Sequence, residues 1–193
     1  MLSVPDNYKY WNMLFIDPGL NNTGVAIYTV DSETSNITTI DAFTIECDNS
    51  HIETGMDPEA FSERFIKLHK LTIAIQRVMM TYNPSVVVCE SPFFNRFRPT
   101  AYSALVQVIH VLQEAIYYFN PNIGFSTLEP LLIKKHVGAG MMKGKLDVKK
   151  VVSENSFIMS RLVRDIDTLD EHAIDAIAIG YAYIRIQGVF YVL

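Results

Sequence analysis

Four apolar residues, Met13-Leu14-Phe15-Ile16, run directly into a carboxylate, Asp17. After the segment Pro18-Gly19-Leu20-Asn21-Asn22-Thr23-Gly24 a second apolar run begins, Val25-Ala26-Ile27-Tyr28-Thr29-Val30. Two such runs around Pro, Gly and Asn predict buried strands paired as a hairpin. Asp17 therefore stands at the end of a buried strand, where an ionised carboxylate is costly unless paired or metal-bound. Two readings are open: Asp17 caps its own turn through the backbone, or it is a metal ligand.

Two further segments bear on that choice. Val86-Val87-Val88-Cys89-Glu90-Ser91-Pro92 is another β-branched run ending in a lone acid, so Glu90 is a second carboxylate at a strand end. In Asp170-Glu171-His172-Ala173-Ile174-Asp175-Ala176-Ile177-Ala178-Ile179-Gly180, His172 and Asp175 are three apart and share one helical face. The alanines and isoleucines around Asp175 mark a helix packed on a core. His172 by itself reads as a helix histidine with a satisfied partner. Three oxygen donors from two strand ends and one helix, with a histidine beside them, form the hard-ligand set that Mg²⁺ or Mn²⁺ prefers.

In order and spacing, the Asp-Pro-Gly strand end with Thr-Gly downstream, the strand ending on Glu90 and the His172–Asp175 helix resemble the RuvC family of Holliday-junction resolvases, within the ribonuclease H-like superfamily. The resemblance covers residues 13–187. It implies that Asp17 is the metal-bridging Asp of the first strand, Glu90 the acid of the fourth strand and Asp175 the last acid. His172 falls where the family often carries Asp, and some members carry His there. The metal set implied is Asp17, Glu90, His172 and Asp175, with His172 a ligand, a water-orienting group or a base. Asp170 and Glu171 read as secondary ligands or as solvated acids at a helix start.

The resemblance also places lysines beside the scissile phosphate. Lys134 and Lys145 match, with Lys135 and Lys143 as substitutes. Residues 134–150 hold six lysines against one acid, Asp147. Taken alone that is a solvated basic face; beside a metal site it is a phosphate-binding edge. Phe93, Phe94, Arg96 and Arg98 follow Glu90 closely. The two phenylalanines either anchor the loop in the core or stack on bases, and the resemblance places Phe93 at the junction centre with Phe94 as the alternative. Phosphate contact is the natural use of Arg96 and Arg98.

The 193 residues, 49% of them hydrophobic, suffice for one domain with a sizeable core: a short extension over residues 1–12, then a single nuclease domain over 13–193. The formal charge, 16 basic minus 21 acidic residues or −5, argues against broad affinity for nucleic acid and places binding on a local patch. Cys47 and Cys89 lack metal-ligand spacing and fit reduced thiols in an intracellular setting. The N-terminus has no secretory pattern, and no apolar stretch reaches the ~20 residues of a membrane span. The expectation is a soluble protein of a bacterial or virus-infected cytoplasm.

Beyond the two opening strands, a strand is predicted over 38–45, a polar loop over 47–58 and a helix over 59–82 with Phe61, Phe65, Leu68, Thr72, Ile75 and Met79 as its buried stripe. A strand ends at Glu90, a helix follows over 99–118, and a fifth strand covers 123–128. Further helices start at Pro130 and Leu146, and the last spans 169–187. This is an α/β fold with three antiparallel and two parallel strands and helices on both faces, the expected ribonuclease H-like sheet.

The activity implied is a Mg²⁺-dependent endodeoxyribonuclease that resolves four-way junctions by paired symmetrical nicks leaving 5′-phosphates. Two ions about 4 Å apart, with Mn²⁺ as a substitute, would be held by the carboxylates, Lys145 would neutralise phosphorane charge, and His172 would relay a proton. Two nicks from chains with one site each imply a homodimer, and the resemblance puts its contact on the helix 99–118, where Ala101, Leu105, Val108, Ile109, Leu112, Ile116 and Phe119 exceed one buried face. A broader debranching nuclease, possibly viral, and an inactive binder of branched DNA are the alternatives. The three retained carboxylates disfavour the last.

Overall fold

The computed structural model describes residues 9–47, 55–57, 59–94, 96–97, 99–138 and 148–188. Strands β1 (Tyr10–Asp17), β2 (Asn22–Asp31) and β3 (Ile37–Glu46) form an antiparallel meander; β4 (Pro84–Glu90) joins β1 in parallel and β5 (Gly124–Leu128) joins β4 in parallel. The spatial order is β3-β2-β1-β4-β5, the mixed five-stranded sheet that the apolar runs and their turns predict. β1 begins at Tyr10, so Tyr10, Trp11 and Asn12 belong to the sheet rather than to an N-terminal extension. Asn12 accepts from the Thr29 hydroxyl at 2.8 Å and donates to the Tyr82 carbonyl at 2.5 Å, which ties this end of the strand to its neighbours.

Because side chains alternate across a strand, β1 supplies both faces of the sheet. Met13 and Phe15 enter one core with α6 (Glu171–Gln187), α3 (Pro130–Val137), α4 (Val148–Glu154) and α5 (Ser156–Met159); Leu14 and Ile16 enter another with α1 (Glu63–Tyr82) and α2 (Pro99–Phe119). All four are fully buried. A central strand buried on both sides must be apolar throughout, which is why its sequence shows no polar alternation.

Three helical details differ from the sequence expectation. α1 starts at Glu63, with the Ser62 hydroxyl as its N-cap accepting from the Phe65 amide. Its buried residues are Ile66, Lys70, Leu71, Ile75, Val78 and Met79; Phe61 and Phe65 are exposed and stack on each other instead. In α2, Val108, Ile109, Leu112 and Ile116 pack into the monomer core, so the apolar surplus assigned to a dimer contact is largely used within the chain. The free edge of β3 is met at Ile40 by the segment after α5: the Ile40 amide donates to the Arg161 carbonyl at 2.8 Å and the Val163 amide to the Ile40 carbonyl at 2.9 Å.

Candidate active site

Parallel pairing of Ile16 with Cys89 puts Asp17 and Glu90 at the carboxyl ends of adjacent central strands. The chain leaves β1 towards β2 on one side, while β4 lies on the other. In open sheets ligands bind at such a switch point.

The loop after Asp17 is shaped by close backbone approaches. A Cβ on Gly19 would lie 2.0 Å from the Asn22 carbonyl oxygen, and the buried Thr23 hydroxyl donates to the Gly19 carbonyl at 2.7 Å, locking the turn. Lys67 of α1 donates to the Asn21 side chain at 2.8 Å. Gly24, opposite Asp17 in the hairpin, touches the start of α6: a Cβ there would lie 1.9 Å from the His172 carbonyl oxygen. That missing side chain lets the helix reach the strand ends.

The same helix end is fixed from β3. Asp170 is the N-cap of α6, accepting from the Ala173 amide at 2.9 Å and from the Thr44 hydroxyl at 2.5 Å. Burial acts to raise its pKa, but these bonds and the neighbouring His172 outweigh it, and Asp170 titrates below the usual range. It is therefore a capping acid, and Glu171 beside it is exposed.

His172 and Asp17 are brought into direct contact, Nδ1 lying 3.0 Å from Oδ2. Burial disfavours the imidazolium, yet the Asp17 bond and the charges of Asp17, Asp170 and Glu171 hold the His172 pKa above its ordinary value. Nδ1 is thereby committed to Asp17, and Nε2 is the remaining nitrogen, 3.9 Å from a Glu171 carboxylate oxygen.

The three strand and helix acids repel one another. Burial, then the charges of Asp17 and Asp175, push Glu90 up to about 7 against the pull of Lys134. Burial and Asp17 push Asp175 up to about 6, although His172 and Lys134 pull it down. Asp17 is raised too, chiefly by burial, with His172 opposing. A group of half-buried carboxylates that raise each other's pKa is a functional-site signature, and it fits a hard divalent cation. Among the described residues no three His, Cys, Asp or Glu side chains are arranged to hold a metal ion, so closing the set round a cation requires side-chain movement.

Lys134, exposed on α3, acts on Glu90 and Asp175 together; Lys135 is exposed beside it. Phe93 and Phe94 are exposed at 65% and 58%, so neither anchors the loop in the core. Phe94 meets Tyr102 edge-on at 5.4 Å, and the Arg96 guanidinium covers the ring of Phe97, itself 78% exposed. Arg98, Lys143 and Lys145 lie outside the described residues. The sequence reading did not single out Thr44, Lys67 or Tyr28; of these only Tyr28 left a trace, through Gly180, an isolated glycine inside an apolar helix that signals close packing.

No family model matches the sequence. The chain is 22% identical over 183 residues to the crossover junction endodeoxyribonuclease RuvC of Wolbachia sp. subsp. Brugia malayi (strain TRS), covering 92% of this chain and 96% of that protein. Its structure is similar to that of Thermus thermophilus RuvC in complex with a Holliday junction substrate, with a TM-score of 0.64 at 13% identity over 92% of this chain and 95% of that one. The yeast mitochondrial Holliday junction resolvase gives a TM-score of 0.61 at 14% identity, over 93% and 80% of the two chains. The chain shares the ribonuclease H-like fold of these proteins along nearly its whole length.

Proposed function

We propose that this chain is a RuvC-type junction-resolving endonuclease that cuts four-way DNA by paired symmetrical nicks leaving 5′-phosphates. The observation that carries the proposal is the meeting of Asp17 and Glu90, at adjacent parallel strand ends, with His172 and Asp175 of α6, all bearing shifted pKa values. The similarity to RuvC along 92% of the chain supports the same reading.

Asp17, Glu90 and Asp175 would hold Mg²⁺, or Mn²⁺ in its place. When bound, the metal supplies Lewis-acid activation of water and stabilisation of the leaving oxygen. The chain's own residues do the rest. His172 fixes the Asp17 carboxylate through Nδ1 and is left with Nε2 to take a proton from the attacking water. Lys134 favours the ionised forms of Glu90 and Asp175 and offers positive charge at the edge of the site. Phe93, Phe94 and Phe97 present aromatic faces for stacking on unpaired bases, and Arg96 and Lys135 supply phosphate contacts.

Two symmetrical nicks require two sites related by a two-fold axis, hence a homodimer. With most of the apolar face of α2 used inside the monomer, the contact must draw on what that helix leaves exposed, including Ala101, Val106, Tyr117 and Tyr118.

A panel of four-way, three-way, forked and linear duplexes incubated with one preparation tests the proposal, with Mg²⁺ present or chelated. Preferred cutting of the four-way junction, only with metal, is expected. Equal cutting of every branched form would favour the broader debranching nuclease, and binding without any cutting would leave an inactive junction binder.

A further inference from the structure

Tyr28 lies at the centre of β2, fully buried, with no part in the chemistry above. Its hydroxyl donates to the Ile177 carbonyl at 2.7 Å. That carbonyl is the one that closes a turn of α6 with the Tyr181 amide, four residues on. A side chain that enters the bonding of a helix at one turn fixes that turn against its neighbour.

A second observation shows that the helix is built to receive this ring. A Cβ on Gly180 would lie 2.5 Å from Tyr28 Cε2 and 2.8 Å from Phe15 Cδ2. The missing side chain opens a slot that Tyr28 fills. Phe15 meets Tyr28 edge-on at 4.9 Å and also contacts the ring of Tyr183 at 5.7 Å. Phe15 is two residues before Asp17 on β1, and Ile177 is two residues after Asp175 on α6. One aromatic cluster therefore spans the strand that carries Asp17 and the helix that carries His172 and Asp175.

We infer that Tyr28 is a positioning residue for the candidate metal site: by bonding the Ile177 carbonyl and filling the slot at Gly180 it sets the axial position and rotation of α6, and so the distance of Asp175 and His172 from Asp17. The inference rests on the reading of Asp17, Glu90 and Asp175 as metal ligands. A hydroxyl that served stability alone would be dispensable for site geometry, since without it the Ile177 carbonyl keeps the amide partner of its own helical turn and no buried group is left unsatisfied. Without the hydroxyl to hold that turn, however, α6 is free to shift against β2.

Tyr28→Phe removes the hydroxyl and keeps the ring. In the metal-free protein, the backbone amide resonances of residues 172–175 are expected to move and exchange of the Tyr181 amide to change. Mn²⁺ affinity, read by calorimetry, should fall about tenfold, the lower end of what loss of a group supporting metal ligands costs, while metal-free junction binding stays unchanged. Gly180→Ala, which pushes the ring from the helix side, should displace the same resonances. Ile37→Val, a core truncation on β3, is the control that lowers stability without moving either readout. Unmoved 172–175 resonances in Tyr28→Phe, or Mn²⁺ affinity equal to the wild type, would overturn the inference. If the wild type itself binds no Mn²⁺, the metal-site reading fails, and the metal-free resonances alone decide whether Tyr28 positions the helix.

Discussion

Glu90→Gln should make the metal-free protein more stable at alkaline pH while abolishing cleavage. In the folded chain Glu90 titrates at about 7, against 4.5 for an ordinary glutamate. A folded pKa above the unfolded one means that the folded state binds the extra proton between these values. The associated stability is fully present below 4.5 and is lost as the pH rises through 7. The difference of about 2.5 pKa units corresponds to about 3 kcal/mol at most, and Gln keeps part of the cost of burying a polar group. A net gain of about 1–2 kcal/mol at pH 8 is expected for the variant, or roughly 2–8 °C in Tm for a chain of this size. Urea unfolding in EDTA at pH 4.5 and pH 8 measures it. The variant should match or fall below the wild type at the lower pH and exceed it at the higher. An equal effect at both values would show that burial and repulsion among Asp17, Glu90 and Asp175 do not govern this carboxylate, and the electrostatic basis of the site would fall.

Gly24→Ala places a Cβ against the His172 backbone at 1.9 Å, which forces the start of α6 away from β2. A stability loss of about 1–3 kcal/mol and a fall in cleavage rate of about 100-fold are expected from denaturation and single-turnover assays. Lys134→Ala should slow the single-turnover rate more than it weakens binding, whereas Arg96→Ala should weaken binding and flatten its dependence on salt; the reverse pattern would exchange their roles. Phe93→Ala should impair cutting of an intact junction more than of one already unpaired at its crossover, because stacking worth roughly 1–3 kcal/mol per base is needed only to hold bases that the enzyme must expose. With Phe93 65% exposed, its thermal stability should change little.

The strands and their terminal acids were legible because a central strand buried on both faces has no choice but continuous apolarity, and a carboxylate closing such a run stands out. The helix around Asp175 announced itself for the same reason. In α1 the predicted Ile75 and Met79 face the core, and only the start of the stripe was misread: Phe65 and Ile66 are adjacent apolar residues, and about 100° of helix rotation decides which faces the core. Periodicity could not choose between them, and the structure buries Ile66. Long-range contacts were silent in the sequence. The bond from Tyr28 to Ile177 spans 149 positions, and the contact of β3 at Ile40 with the segment near Leu162 depends on a chain path that no local pattern records. The sequence singled out the Thr-Gly pair at 23–24, but only the packing of Gly24 on the His172 carbonyl gives its physical reason.

The most direct test of the central claim is nick mapping on a four-way junction labelled in each strand, comparing wild type with Asp17→Asn and Asp175→Asn at equal junction occupancy. Two Mg²⁺-dependent cuts at symmetry-related positions, each leaving a 5′-phosphate, are expected from the wild type, and none from either variant. Cutting at wild-type rates by either variant, or cuts by the wild type that persist in EDTA, would contradict a metal site built from the ends of β1 and β4 and the face of α6.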